Sequence, residues 1–161
     1  MRVVFLVMLL GGGIWLWTVL FPSPERVVLK KITRVAADAN IALGEGNISR
    51  ASKASSLTGE FDVNAEIVVD VAGIGAHTLS GRDEIREAAL GVFTNLRALK
   101  TQFLDTKVTL GADNQSATVT CTAQVSESDN RDYGIQELRF QLKKIDGDWK
   151  ITRVETVKTL Q

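Results

Sequence analysis

The sequence predicts an α+β domain, a curved and mostly antiparallel sheet wrapped around about three helices, behind an N-terminal transmembrane helix. Three observations carry this reading. Residues 3–21 contain no charged side chain. Between residues 25 and 100 two stretches repeat apolar residues every three or four positions, the period of a helix with one apolar face. After Lys100 the period changes to two, the alternation of a half-buried strand, and short polar links separate the runs. A sheet with one apolar face must cover it, and the helices carry the matching stripes.

The first element is the apolar run from Val3 to Phe21. As a helix it would be roughly 28 Å long, close to the hydrocarbon thickness of a bilayer. Trp15 and Trp17 lie toward its second half, where amphipathic rings favour the membrane interface. A cleaved signal peptide also begins with a basic residue and an apolar run. Here, however, the following Val19-Leu20-Phe21-Pro22-Ser23-Pro24 is bulky and holds no small-residue cleavage site. Residues 1–24 are therefore read as a single-pass anchor and residues 25–161 as one domain. Arg26, Lys30, Lys31 and Arg34 would by simple counting hold the domain in the cytoplasm. The very short basic start is that of an exported chain, and the domain is placed on the extracytoplasmic side.

Ser23-Pro24-Glu25 reads as a helix start: a capping residue, a proline in the first turn and an acidic group at the positive end. Leu29, Ile32, Ala36, Ala39 and Leu43 form the predicted buried stripe, ended by Gly44 and Gly46. A shorter helix is predicted from Ser49 to about Leu57. From Phe61 to Val71, Val63, Ala65, Ile67, Val69 and Val71 alternate with Asp62, Asn64, Glu66 and Asp70 as one strand, and a return strand covers Ala76 to Leu79. Ser80, three residues before Asp83, opens the next helix, with Ile85, Ala89, Val92, Leu96 and Leu99 as its apolar face. Four strands follow, with Leu104, Thr106, Val108 and Leu110, then Ala117 to Val125, then Leu138, Phe140 and Leu142, then Trp149 and Ile151 on their inner sides. The Asp146-Gly147 link suits a tight primed hairpin turn.

Composition narrows the function. The 161 residues carry 19 Lys+Arg and 19 Asp+Glu, a balance that argues against nucleic acid as a partner. One cysteine and one histidine exclude a disulfide framework and the Cys- and His-based metal motifs. Gly73-x-Gly75 lacks the third glycine of a dinucleotide loop. No cofactor and no metal site is expected. Cys121 falls in an apolar run and reads as a buried thiol. Thr118, Thr120 and Thr122, facing outward beside Glu137, Gln141 and Lys143, make a face less charged than a fully solvated one, the surface expected to form a homodimer.

Two motifs carry a family resemblance. Leu79-Ser80-Gly81-Arg82-Asp83-Glu84-Ile85 resembles the Gly-Arg-acidic-x-Ile start of the third helix in the nuclear transport factor 2-like superfamily, especially its SnoaL-like members. Leu142-Lys143-Lys144-Ile145-Asp146-Gly147-Asp148-Trp149-Lys150-Ile151 resembles its terminal hairpin. The resemblance spans roughly residues 25 to 158. It implies the cystatin-like cone with a pocket at its open end. The superfamily includes ketosteroid isomerase, scytalone dehydratase, polyketide cyclases and non-catalytic binding or assembly domains, so fold alone does not fix function. Outer-face dimers are also common in it.

A catalytic cone needs an acid/base group with a shifted pKa and a donor for a developing oxyanion. The isomerase-like pattern puts a tyrosine on the first helix. Here that helix has Asp38 and Asn40, and the only tyrosine, Tyr133, begins a late strand. His77, beyond Gly73-Ile74-Gly75-Ala76, is the candidate base at the pocket rim. Arg153 and Glu155 continue the register of Trp149 and Ile151, so a regular strand would turn them toward the core as a pocket ion pair. Glu137 and Arg139 alternate away from Leu138 and Phe140, and Asp62 and Asp70 flank the first strand. An enclosed cavity of ~300 Å³ with convergent polar groups would favour an enzyme. A cone filled by Phe61, Phe93, Phe103 and Trp149 would not. The reading is a membrane-tethered, non-catalytic binding or assembly module for an unknown small molecule or protein. The alternative is a SnoaL-like isomerase, cyclase or dehydratase using His77, Arg153 and Glu155.

Overall fold

The computed structural model describes residues 23–71, 75–126 and 132–157. In chain order these form α1 (Pro24–Asp38), α2 (Asn47–Gly59), β1 (Phe61–Val71), β2 (Gly75–Ser80), α3 (Arg82–Asn95), β3 (Lys100–Leu110), β4 (Ser116–Ser126), β5 (Asp132–Ile145) and β6 (Asp148–Thr156). The strands make one sheet in the order β2-β1-β6-β5-β4-β3. Every neighbouring pair is antiparallel except β1 with β6. This is a cone-like α+β arrangement of three helices and a six-stranded sheet. No helix among the described residues is long and apolar enough to cross a membrane. The anchor expected at residues 3–21 lies outside the described residues, as does Gly73.

Helix α1 starts where its sequence predicts, with Pro24 and Glu25 in the first turn, but Ser23 at the cap position makes no side-chain capping hydrogen bond. Its buried face is Val28, Ile32, Val35 and Ala36. The stripe expected through Leu29, Ala39 and Leu43 is offset from this, and Leu29 is 42% exposed and Leu43 73% exposed. The helix ends at Asp38, so the last two lie beyond it, and Val28-Ile32-Val35 satisfies the same three-and-four spacing. Helices α2 and α3 pack on each other through a small cluster of Ile41, Ala54 and Phe93. Ser80 ends β2 rather than opening α3. Gly81, at φ 87°, takes the capping position, and the Glu84 carboxylate accepts the Ser80 N–H at 2.7 Å.

The main core joins Val28 and Ile32 of α1 and Ile85 of α3 to the inward side chains of the sheet. Val119, Phe140, Leu142, Trp149 and Ile151 are all buried there. Removing a side chain of this size from water stabilises the fold by about 1.5–3 kcal/mol. The Asp146-Gly147 turn has positive φ at both positions, 51° and 89°, as a primed hairpin turn requires.

Three irregularities reset which side chains face inward. Between Phe61 and Glu66, β1 slips against β6, and Val63 turns out, 58% exposed, against the expected alternation. In β3 an extra residue near Asp105, at φ 51°, shifts the pairing with β4. Phe103 therefore faces the core and Leu104 faces outward, the reverse of the expected phase. In β6, Thr152 is the extra residue opposite the Gln141–Leu142 step, and its Oγ1 donates to the Gln141 carbonyl at 3.1 Å.

Candidate functional site

The Thr152 bulge decides where Arg153 and Glu155 point. Below it, Ile151 pairs with Leu142 and both are buried. Above it, Val154 pairs with Phe140 and those two are buried, so Arg153 and Glu155 share the opposite face with Gln141 and Arg139. The expectation that Arg153 and Glu155 enter the core is therefore corrected: one extra residue inverts a two-residue period. Glu137 and Arg139 lie on the outer face, as their alternation predicts.

On that outer face four charges form a chain across three strands. Arg139 Nη1 donates to Glu155 Oε1 at 3.0 Å, and Arg153 Nε donates to Glu155 Oε2 at 3.1 Å. The Arg153 guanidinium also pairs with Glu66 of β1. The hydrogen bond from Arg153 holds the Glu155 carboxyl below the usual range, aided by Arg139. A carboxylate so held is a poor proton acceptor near neutrality. Glu66 had no signal as a partner of Arg153, because the pair exists only through the parallel β1–β6 contact.

Two clefts flank this chain, of about 540 and 420 Å³, with Arg139 and Val157 in the walls of both. Asp70 and Glu155 line the larger, and Asp105, Thr120, Thr122 and Glu137 the other. Asp62 lies at the start of β1, its Oδ2 accepting the Asn64 N–H at 3.0 Å.

The core side is different. Phe61, Phe93 and Trp149 are buried, and Phe103 packs on Phe140 with ring centroids 5.5 Å apart. A groove of about 360 Å³ between α1 and β3 reaches this packing through Ile32, Ala36 and Phe103, with Asn40, Thr101 and Thr106 as neutral polar walls. Asn40 Oδ1 accepts the Thr101 N–H at 2.6 Å, fixing one end of the groove. Among the described residues, Lys100 is the only ionisable side chain in its lining. The sequence hid this groove, since its two walls are 60 residues apart and the Asp105 bulge sets which β3 side chains face it.

His77 lies on β2 opposite Val69, in the register of the inward-facing Ile67 and Leu79, but at the sheet edge and exposed. The structure does not bring it together with Arg153 and Glu155, which project from the other face. Cys121 is buried, and desolvation pushes its thiol up to about 11, which suits a packing role rather than a nucleophile. Tyr133 lies in β5, and its side chain is outside the described residues.

Comparison with solved structures gives the same fold. A nuclear transport factor 2-like protein from Pseudomonas putida superposes with a TM-score of 0.66 at 8% identity, covering 85% of this chain and 87% of its own. A cystatin-like nuclear transport factor 2-like protein from Novosphingobium aromaticivorans gives 0.64 at 19%, covering 82% and 80%. A protein of that organism provisionally named a scytalone dehydratase gives 0.59 at 18%, covering 84% and 83%. A search of curated proteins gave no match. The family profile described as a SnoaL-like domain matches residues 50–155, about two thirds of the chain. That stretch runs from α2 through β6, and the chain belongs to the SnoaL-like domain family.

Proposed function

We propose that this SnoaL-like domain is a non-catalytic binding module, tethered to a membrane through residues 3–21 and held on the extracytoplasmic side. Its groove between α1 and β3 takes a small, largely apolar molecule or the apolar side chain of a protein partner. The observation that carries the reading is the make-up of that groove. Apolar side chains and neutral polar groups line it, and its single ionisable group, Lys100, is exposed. Such a lining orients a ligand without offering an acid/base pair. Supporting it, Arg153 and Glu155 spend their charge on each other outside the cone.

A second reading is supported by one placement and by the neighbours. His77 shares the inward register of β1 and β2, and the scytalone dehydratase-named relative has the same fold. In that reading His77 is the base of an isomerase, cyclase or dehydratase. The two are separated by incubating the purified full chain with a panel of cyclic and polyaromatic ketones in heavy water. The binding module gives ligand-dependent resonance shifts with α-proton exchange at the buffer rate. Exchange above that rate, abolished by His77→Ala, would overturn it in favour of the enzyme.

A further inference from the structure

We infer that the end of the domain formed by α1 and the β5–β6 hairpin is a docking surface for anionic phospholipid headgroups. The inference rests on the tether reading, whichever side of the bilayer the domain occupies, and adds to it an orientation of the domain on the bilayer.

The surface is assembled from two segments far apart in sequence. In residues 24–34, Arg26, Lys30, Lys31 and Arg34 face one carboxylate, Glu25. In residues 143–150, Lys143, Lys144 and Lys150 accompany Asp146 and Asp148. The fold brings the segments together: Val27, Lys30, Lys31 and Arg34 share a cleft of about 210 Å³ with Gly147, Asp148 and Trp149. Glu60 is buried beneath, paired with Lys31 and, at 3.4 Å, with Arg34. Counting it, seven cations stand over four carboxylates. A chain that is neutral overall thus carries a positive end and a net negative remainder.

Position and exposure point to a bilayer as the occupant. Arg26, Lys30, Lys143 and Lys144 are exposed, and so are Val27 and Leu29, large apolar side chains on the same helix. Basic residues with neighbouring apolar side chains are the composition of a membrane-surface helix. Two residues, Pro22 and Ser23, separate the surface from the uncharged run that ends at Phe21. A membrane segment there would hold α1 within a few ångströms of the headgroups, inside the range over which anionic lipid attracts basic residues.

The test uses the full chain with a fluorophore on Asp148→Cys, at the basic end, or on Ile48→Cys, near the start of α2. Cys121 is buried and stays unlabelled. The chain is mixed with vesicles of phosphatidylcholine alone or with roughly 30% phosphatidylglycerol, each containing a headgroup-nitroxide lipid. Docking predicts quenching at position 148 about threefold stronger on the anionic vesicles, lost in roughly 0.5 M salt and in the Arg26→Gln/Lys30→Gln/Lys143→Gln variant, with little change at position 48. Equal quenching on both lipids, or quenching untouched by the charge variant, would overturn it. Flotation with neutral vesicles reads the tether separately. If the chain fails to float with them, the tether reading falls. Salt-sensitive flotation with the anionic vesicles alone would then uphold the docking surface, and its absence would end both.

Discussion

Glu45 shows what one residue does at a helix start. It lies just before the Gly46 cap of α2 and accepts the Ala42 N–H at 2.9 Å, the Ser49 hydroxyl at 2.5 Å and the Lys53 ammonium at 2.8 Å. The Lys53 bond, then those from Ser49 and Ala42, lower its pKa to about 2. Its folded-state pKa is depressed, so its stabilising effect is present above the unfolded value near 4.5 and is lost as pH falls toward 2. Glu45→Gln should lower the Tm at pH 7, and the gap from wild type should close between pH 5 and pH 2 when thermal unfolding is followed by circular dichroism. A gap independent of pH would mean the contribution is not that of the charge. Asp113 works similarly in the β3–β4 turn, its carboxyl lowered by the Gln115 N–H and the Ser116 hydroxyl.

At the scale of elements, the outer sheet face is the feature with a testable consequence. Thr118, Thr120 and Thr122 alternate on β4, with Arg139 opposite Thr120 and Glu137 opposite Thr122. Exposed Leu104 and Ile135 flank the row, and Ile135 is 67% exposed. We propose that this face joins two copies of the chain. A Thr120→Lys/Thr122→Glu variant should reduce the mass in light scattering from twice 17.5 kDa to one chain, with an unchanged circular dichroism spectrum. A wild-type monomer, or an unaffected dimer, removes the idea. The start of α1 and the last hairpin link were legible because each depends on neighbours in sequence: Pro24 at a helix start, Asp146-Gly147 at a turn. The phase of a strand past a bulge was not. Asp105 and Thr152 carry no local mark, and pairing with β4 or β5 is what makes them extra.

For the whole molecule, topology is the open prediction. With residues 3–21 in the membrane and the domain exported, an enzyme that folds only after export, fused behind Gln161, should be active in cells. The same fusion to an enzyme that works only in the cytoplasm should be silent. Cytoplasmic activity would reverse the orientation and fit the basic residues of α1 remaining inside.

The sequence by itself determined the α+β class of the domain behind residue 24, the order of its helices and strands, and the absence of a tyrosine from α1, since period and turn chemistry are properties of short stretches. It also carried the two motifs that resemble the SnoaL-like family. The tertiary structure alone decided that Arg153 and Glu155 lie outside the cone, that Glu66 completes their ion-pair chain, and that α1 and β3 flank a groove whose lining carries one ionisable side chain, Lys100. Each of these depends on the register between strands or on contacts far apart in sequence, and a single inserted residue exchanges the inside and outside of everything beyond it.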